Sequence, residues 1–303
     1  MTPEDKKLLP YVIGVVVLIV LIISAYFFFS STKDVPTEIV EPIAEVSTTT
    51  EELPPNRVIG TSVEGRDIES YTYGNGETTL LFVGGIHGGY EWNSVLLAYE
   101  FIDELEAGLI KIPDSLSIEV IPVLNPDGLY SVINKAGRFT LADVPEKSTL
   151  TAGQGRFNAN EVDLNRNFDC KWKPTSSWRS KIVSAGTSAF SEPEAIALRG
   201  LVEEKNPKAV VFWHSQANAV YASECTEGVL PETLAVMNTY ADSAGYRAVA
   251  SFDAYPVSGD AEGWLASIGI PAVTVELSSH EAVEWEKNKA GVKSLFDLYS
   301  VAR

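Results

Sequence analysis

Basic residues are scarce in this chain. Lys and Arg total 23 against 41 Asp and Glu, a formal net charge of −18 over 303 residues. Nucleic-acid binding needs a basic face, so that class of partner is excluded. The same deficit argues against adsorption on an anionic membrane surface. Cysteine is nearly absent: Cys170 and Cys225 can form at most one disulfide, and two unpaired buried thiols are the other reading. Histidine is confined to His87, His214 and His280, so any imidazole chemistry must come from these three. There is no internal repeat, which sets aside solenoids and propellers.

Only one hydrophobic run is long. Residues 8–29 contain VIGVVVLIVLIISAYFFF, follow Lys6 and Lys7, and have no polar face. About 20 apolar residues cross a bilayer as a helix. The run ends in bulky Tyr26 and Phe27 to Phe29 without a small-residue cleavage site, which favours an uncleaved anchor over a signal peptide. On the far flank Lys33 is followed at once by Asp34. The lysine excess therefore places the N-terminus in the cytoplasm and the bulk of the chain outside, extracellular or periplasmic. The expected organisation is a transmembrane anchor over 1–30, a disordered stalk over 31–55 and one domain over 56–303. The stalk STKDVPTEIVEPIAEVSTTTEELPP has no sustained apolar period with which to offset ordering entropy. No activation propeptide is evident in so short a stalk.

Within the domain, short β-branched runs alternate with helical patterns. Strands are expected at 79–83, 117–124, 209–213 and 271–277. Helices are expected at 91–105, from a Ser191 cap onward, at 231–244 and at 288–301. Such interleaving predicts an α/β fold, a mixed, mostly parallel central sheet flanked by helices. Ligands in such sheets gather beyond the carboxyl ends of strands. His87, Asn125, His214 and Glu276 all fall at or just past strand ends.

His87 and Glu91 lie in GGIHGGYEW, where a strand ends in glycines and a helix begins; His214 ends AVVFWHS. Two imidazoles and a carboxylate make a zinc ligand set that leaves a fourth position open. The segment 155–169, GRFNANEVDLNRNFD, adds Arg156, Asn165 and Arg166. Guanidinium forks pair with carboxylates bidentately and are costly to bury alone, so this run suits a site that binds an oxyanion and a substrate carboxylate.

In order along the chain stand GGIHG with a nearby Glu, NPDG, DLNRNF, a strand-end HS, a Tyr before Ser-Gly and Trp, and GIPAVTVEL. In these six pieces the chain resembles the zinc carboxypeptidases, the peptidase M14 group, over essentially the whole domain. The resemblance implies one zinc ion per chain held by His87, Glu91 and His214. It implies that Glu276 is the general base for the attacking water, that Arg156 stabilises the oxyanion, and that Asn165 and Arg166 grip the terminal carboxylate. Tyr255 matches the tyrosine that closes over the released residue. Arg138 competes with Arg156, but Arg156 stands just ahead of DLNRNF. Glu262, with Asp260 nearby, falls where the family's pocket floor selects the released side chain, so lysine, arginine or a diaminopimelate-type amine is expected there. His280 matches nothing, and Asp127 reads as a turn residue.

The family spaces its first ligands H-x-x-E, whereas His87-Gly88-Gly89-Tyr90-Glu91 has one residue more. The two glycines are expected to absorb it as a bulged turn. The function implied is hydrolysis of a C-terminal peptide or peptidoglycan-peptide amide bond by a monomeric, membrane-anchored enzyme. A deacylase of the aspartoacylase-like group shares parts of the scaffold, but NPDG, Tyr255 and TVEL favour the peptidase. A binding domain that kept the fold and lost the metal has only the ligand spacing in its support.

Overall fold

The computed structural model describes residues 5–30, with side chains from residue 16, and residues 55–300. Helix α1 (Asp5–Ser30) holds the long apolar run. Its described side chains, 16–30, fall short of a bilayer's thickness, and among the described residues no helix is long and apolar enough to cross a membrane. The rest of the anchor expectation, and the stalk through residue 54, lie outside the described residues.

Residues 55–300 build around an eight-stranded sheet. In chain order its first four strands are β1 (Asn56–Thr61), β2 (Asp67–Tyr73), β3 (Thr78–Val83) and β4 (Leu116–Ile121). A separate hairpin, β5 (Thr175–Trp178) and β6 (Lys181–Ser184), precedes β7 (Ala209–Ser215), β8 (Ala219–Ala222), β9 (Arg247–Val249) and β10 (Ala272–Leu277). The sheet order is β1-β2-β4-β3-β7-β10-β8-β9. Its centre, β4-β3-β7-β10, is parallel, as is β8-β9; β1-β2, β2-β4 and β10-β8 are antiparallel. This agrees with the expected mixed, mostly parallel sheet.

Strand periodicity of two explains the two cores. Leu80, Phe82, Val211, Trp213, Val273 and Val275 point to one face. There they meet α2 (Trp92–Glu106), and also α5 (Pro231–Ala244) and α7 (Trp285–Ser300), which follow α3 (Pro126–Ile133) and α4 (Pro193–Lys205) in the chain. Leu81, Val83, Val210 and Phe212 point to the other face, against α4 and α6 (Ala261–Ser267). A sheet covered on both faces needs continuous apolar strands, and β7 is buried at every position.

Several element ends differ from expectation. Residue 91 belongs to a 3₁₀ turn, Gly88–Glu91, and α2 starts at Trp92. The strand expected to reach 124 stops at Ile121, before Pro122, which has no N–H for the ladder. NPDG is the first turn of α3: Asn125 caps it, accepting from Gly128 N at 2.8 Å, with Pro126 at the first position. Asp127 is accordingly not a free turn residue. It is buried and accepts from Ser62 Oγ (2.6 Å), Glu64 N (3.0 Å) and Arg66 Nη1 (2.6 Å), tying the β1–β2 connection to α3. Ser191 does not cap α4; extended Glu192 occupies the cap, and the Ser191 hydroxyl bonds Glu192 Oε1 instead.

Chain connections run outward in opposite senses from β3 and β7: β3 crosses to β4, while the chain beyond β7 fills the other half of the sheet. That reversal opens a crevice at their carboxyl ends.

Candidate metal centre and substrate pocket

The crevice between β3 and β7 gathers the ligands. His87 follows β3 by four residues, and His214 is the penultimate residue of β7. The extra residue before Glu91 is taken up by the 3₁₀ turn. Gly88 has φ +44°, and a Cβ there would lie 2.7 Å from the backbone of Gly128; one on Gly89 would lie 2.5 Å from Val132 Cβ. Only glycines let this turn press onto α3 and bring Glu91 back under His87. His87 Nδ1 is 2.9 Å from Glu91 Oε1, His214 Nδ1 is 3.0 Å from Glu91 Oε2, and the two Nδ1 atoms are 3.2 Å apart. All three residues are buried. Ligands at zinc distances on a tetrahedron lie about 3.3 Å from one another, so this donor set fits the ion in both chemistry and spacing. Among the described residues it is the one such group.

Each imidazole meets a second carboxylate on its other nitrogen. His87 Nε2 is 3.4 Å from Asp163 Oδ1 and His214 Nε2 is 3.4 Å from Glu262 Oε1, both too poorly aligned to count as hydrogen bonds. Asp163, the first residue of DLNRNF, was assigned no role from sequence. Burial opposes its charge, but Arg156, then Arg166 and His87, outweigh burial and hold it well below the usual range. For Glu91, burial is likewise outweighed by His87 and His214. His214 is raised to about 10: burial lowers it, and Glu91 and Glu262 more than offset that.

Glu276 enters from β10, whose register sets it beside His214 of β7. Its Oε2 is buried without a hydrogen-bond partner. Burial, then the Glu91 charge, push its carboxyl up to about 7. Arg156 donates Nε to Asp163 Oδ2 at 2.9 Å with Nη2 in ion-pair contact at the same distance, lies 4.6 Å above the Trp178 ring, and turns Nη1 toward Glu91 at 3.8 Å. Arg138, the competing arginine, is elsewhere, paired with Asp103 at 2.5 Å.

A cavity of about 400 Å³ opens over these groups and is lined also by Asn165, Arg166, Tyr255, Asp260 and Glu262. Arg166 donates through Nε and Nη2 to the Ser177 carbonyl at 3.2 and 3.0 Å and to the Asn165 carbonyl. No carboxylate lies within ion-pair distance of it among the described residues, so its charge is available to a ligand. Asn165 Oδ1 accepts from Ala261 N at 2.8 Å. The Gly259 amide and carbonyl bond Cys170 O (2.7 Å) and Phe168 N (2.8 Å), fastening the loop that carries Tyr255 and Asp260 to the 165–170 segment. Asp260 caps α6, and burial followed by the Glu262 charge raises it to about 6. Tyr255 is half-buried beside Phe252, 4.9 Å between rings. Cys170 and Cys225 are bonded, with Cα atoms 5.9 Å apart. His280 stands behind the metal centre: its Nδ1 is 2.7 Å from Ser215 Oγ, whose hydroxyl donates to Asn93 Oδ1 at 3.0 Å.

The zinc carboxypeptidase (peptidase M14) family model matches residues 41–289. The chain belongs to the zinc carboxypeptidase family. Among relatives, it is 25% identical over 242 residues to gamma-D-glutamyl-L-diamino acid endopeptidase 1 of Lysinibacillus sphaericus, covering 73% of this chain and 60% of that one. It is 31% identical over 144 residues to murein peptide amidase A of Escherichia coli K12, covering 43% and 55%. The chain thus spans about 60% or less of the length of these relatives. The solved structure of murein-tripeptide amidase MpaA from Escherichia coli O157 superposes with a TM-score of 0.58 at 22% identity, over 83% of this chain and 94% of that one, a likeness of fold. For a zinc carboxypeptidase, the structural questions are where its ion sits and what faces it. Here the buried Nδ1–carboxylate–Nδ1 triangle fits that ion despite the longer ligand spacing.

Proposed function

We propose that this chain is a zinc metallopeptidase that hydrolyses the amide bond to a C-terminal residue of a peptide, a cell-wall peptide in particular. The observation that carries the reading is the convergence of His87, Glu91 and His214 with the Glu276 carboxylate beside them and two arginines over the same cavity. Bound zinc would supply a Lewis acid and a water of lowered pKa. Glu276 takes the proton of the attacking water as the new C–O bond forms, then passes it to the leaving amine as the C–N bond breaks; burial weakens its carboxyl as an acid, which favours uptake of the water's proton. Arg156, fixed by Asp163, presents preorganised positive charge where the carbonyl oxygen becomes anionic. Arg166 and Asn165 hold the terminal carboxylate, and Tyr255 closes over the released residue.

The half-buried acid Asp260, which lines the cavity at the start of α6, supports a cationic group on that residue, as in lysine, arginine or a diamino acid. Similarity to a gamma-D-glutamyl-L-diamino acid endopeptidase and to a murein peptide amidase supports a peptidoglycan peptide. The apolar run at 8–29 supports an N-terminal anchor with the domain outside the cell, and a disulfide, which persists in oxidising compartments, agrees with that placement.

The test is cleavage of a panel of C-terminal peptides and wall fragments, each also as its C-terminal amide, with and without a chelator. Hydrolysis should stop with the chelator and return with zinc. The amide form should be the poorer substrate, because it gives Arg166 no carboxylate. Chelator-resistant turnover, or equal turnover of acid and amide, would refute the corresponding half of the proposal.

A further inference from the structure

Glu262 stands where the family resemblance puts a specificity residue, yet its contacts point inward. Its Oε1 accepts from Thr274 Oγ1 at 2.8 Å and lies 3.4 Å from His214 Nε2. The residue is 4% exposed. On the other imidazole, Asp163 Oδ1 lies at the same 3.4 Å from His87 Nε2. The two ligands are thus framed alike, each with Nδ1 toward Glu91 and Nε2 toward an acid, although the acids come from unrelated elements: a loop for Asp163, helix α6 for Glu262.

We propose that Glu262 is a positioning residue for the metal ligand His214, not the selector of the released side chain. A carboxylate facing Nε2 makes that nitrogen the protonated one, which leaves the Nδ1 lone pair for a metal and fixes the ring's rotation. Thr274, the register partner of Phe212 on β7, locks the carboxylate in place from β10. The acid left to face a cationic substrate group is Asp260, at the start of the same helix. The inference rests on the metal reading above.

The experiment measures zinc affinity by competition with a chromogenic chelator for the wild type, Glu262→Gln, Glu262→Ala and Thr274→Val, with folding of each zinc-free protein checked by thermal melting. Loss of a carboxylate behind a ligating histidine typically weakens metal binding by about 10- to 100-fold. Glu262→Ala should show the full effect. Glu262→Gln, which keeps an oxygen facing Nε2 but removes the charge, and Thr274→Val should show smaller losses in the same direction. The visible spectrum of the cobalt-substituted protein should change in all three. Asp260→Asn, in contrast, should lower the preference for C-terminal lysine over leucine while leaving zinc affinity near that of the wild type. Should Glu262→Ala fail to fold, the Gln and Val variants still decide the matter. Wild-type affinity in the Glu262 variants, together with a lost lysine preference, would overturn this assignment and return Glu262 to the pocket floor. A wild type that takes up no zinc would overturn the metalloenzyme reading itself.

Discussion

Glu276 and His214 are register partners on the adjacent parallel strands β10 and β7. Neighbouring strands run about 4.8 Å apart, so this pairing fixes the candidate base beside a candidate metal ligand through the backbone ladder, not through a flexible loop. A site held by strand ends keeps its geometry when one side chain is changed, which makes the following substitutions interpretable.

Glu276→Gln should retain zinc and lose turnover. Glutamine is nearly isosteric but cannot accept the water's proton. The expected fall in kcat is about 10²- to 10⁴-fold, the range for a general acid–base group. Zinc content by elemental analysis, measured on the same preparation, separates loss of base from loss of metal. Near-normal turnover would remove Glu276 as the base.

The same substitution should change how zinc-free stability depends on pH. Burial, then Glu91, raise the Glu276 carboxyl from its ordinary 4.5 to about 7. A group that binds its proton more tightly when folded favours the native state at low pH. That contribution is complete below about pH 4.5 and is lost as the pH climbs through about 7. Glutamine does not titrate. The melting temperature of zinc-free Glu276→Gln relative to the wild type should therefore rise between about pH 5 and 7.5 and level off above, by a few degrees at about 2–4 °C per kcal/mol. A difference that ignores pH would show that Glu276 does not titrate in this window.

Reducing the Cys170–Cys225 bond should destabilise the domain. The bond closes a loop of 55 residues. Chain entropy puts the loss at about 4 kcal/mol, or a melting temperature lower by roughly 10 °C. Cys170 borders the cavity, and Lys171 Nζ donates to the Cys225 carbonyl at 2.7 Å across the same junction. Michaelis constants should therefore rise in Cys170→Ser/Cys225→Ser as the 165–170 segment loosens. Thermal melts and kinetics with and without reductant check both effects, and an unchanged melt would show that the bridge adds nothing to stability.

Most of the candidate site was readable from sequence because its members stand at strand ends. A buried apolar run that stops at a histidine or glutamate announces a polar group held at a sheet's edge, and His87, His214 and Glu276 all carry that signal. The arginines could be read because a guanidinium cluster beside asparagines is costly to bury without a ligand or partner. Asp163 could not be read in the same way. It opens the run DLNRNF, and an aspartate ahead of a 3₁₀ turn looks like local capping until the fold brings Arg156 and His87 against it. The helix starts near Glu91 and Ser191 are not legible locally for a similar reason: glycine packing against α3 and the extended Glu192 are set by contacts with other segments, not by local propensity.

The sequence alone determined the α/β architecture and set His87, His214 and Glu276 at or near strand ends, because period-two burial and strand-end placement are local properties of the chain; the roles expected of these residues and of Glu91 came from the family resemblance. Only the tertiary structure decided that the longer His87–Glu91 spacing closes on a common point, since that depends on Gly88 and Gly89 fitting against Gly128 and Val132 from another helix. It also decided which way Glu262 faces. Position in a motif places a side chain on α6, but the direction of that helix against β10, and the Thr274 hydroxyl waiting there, turn the carboxylate toward His214.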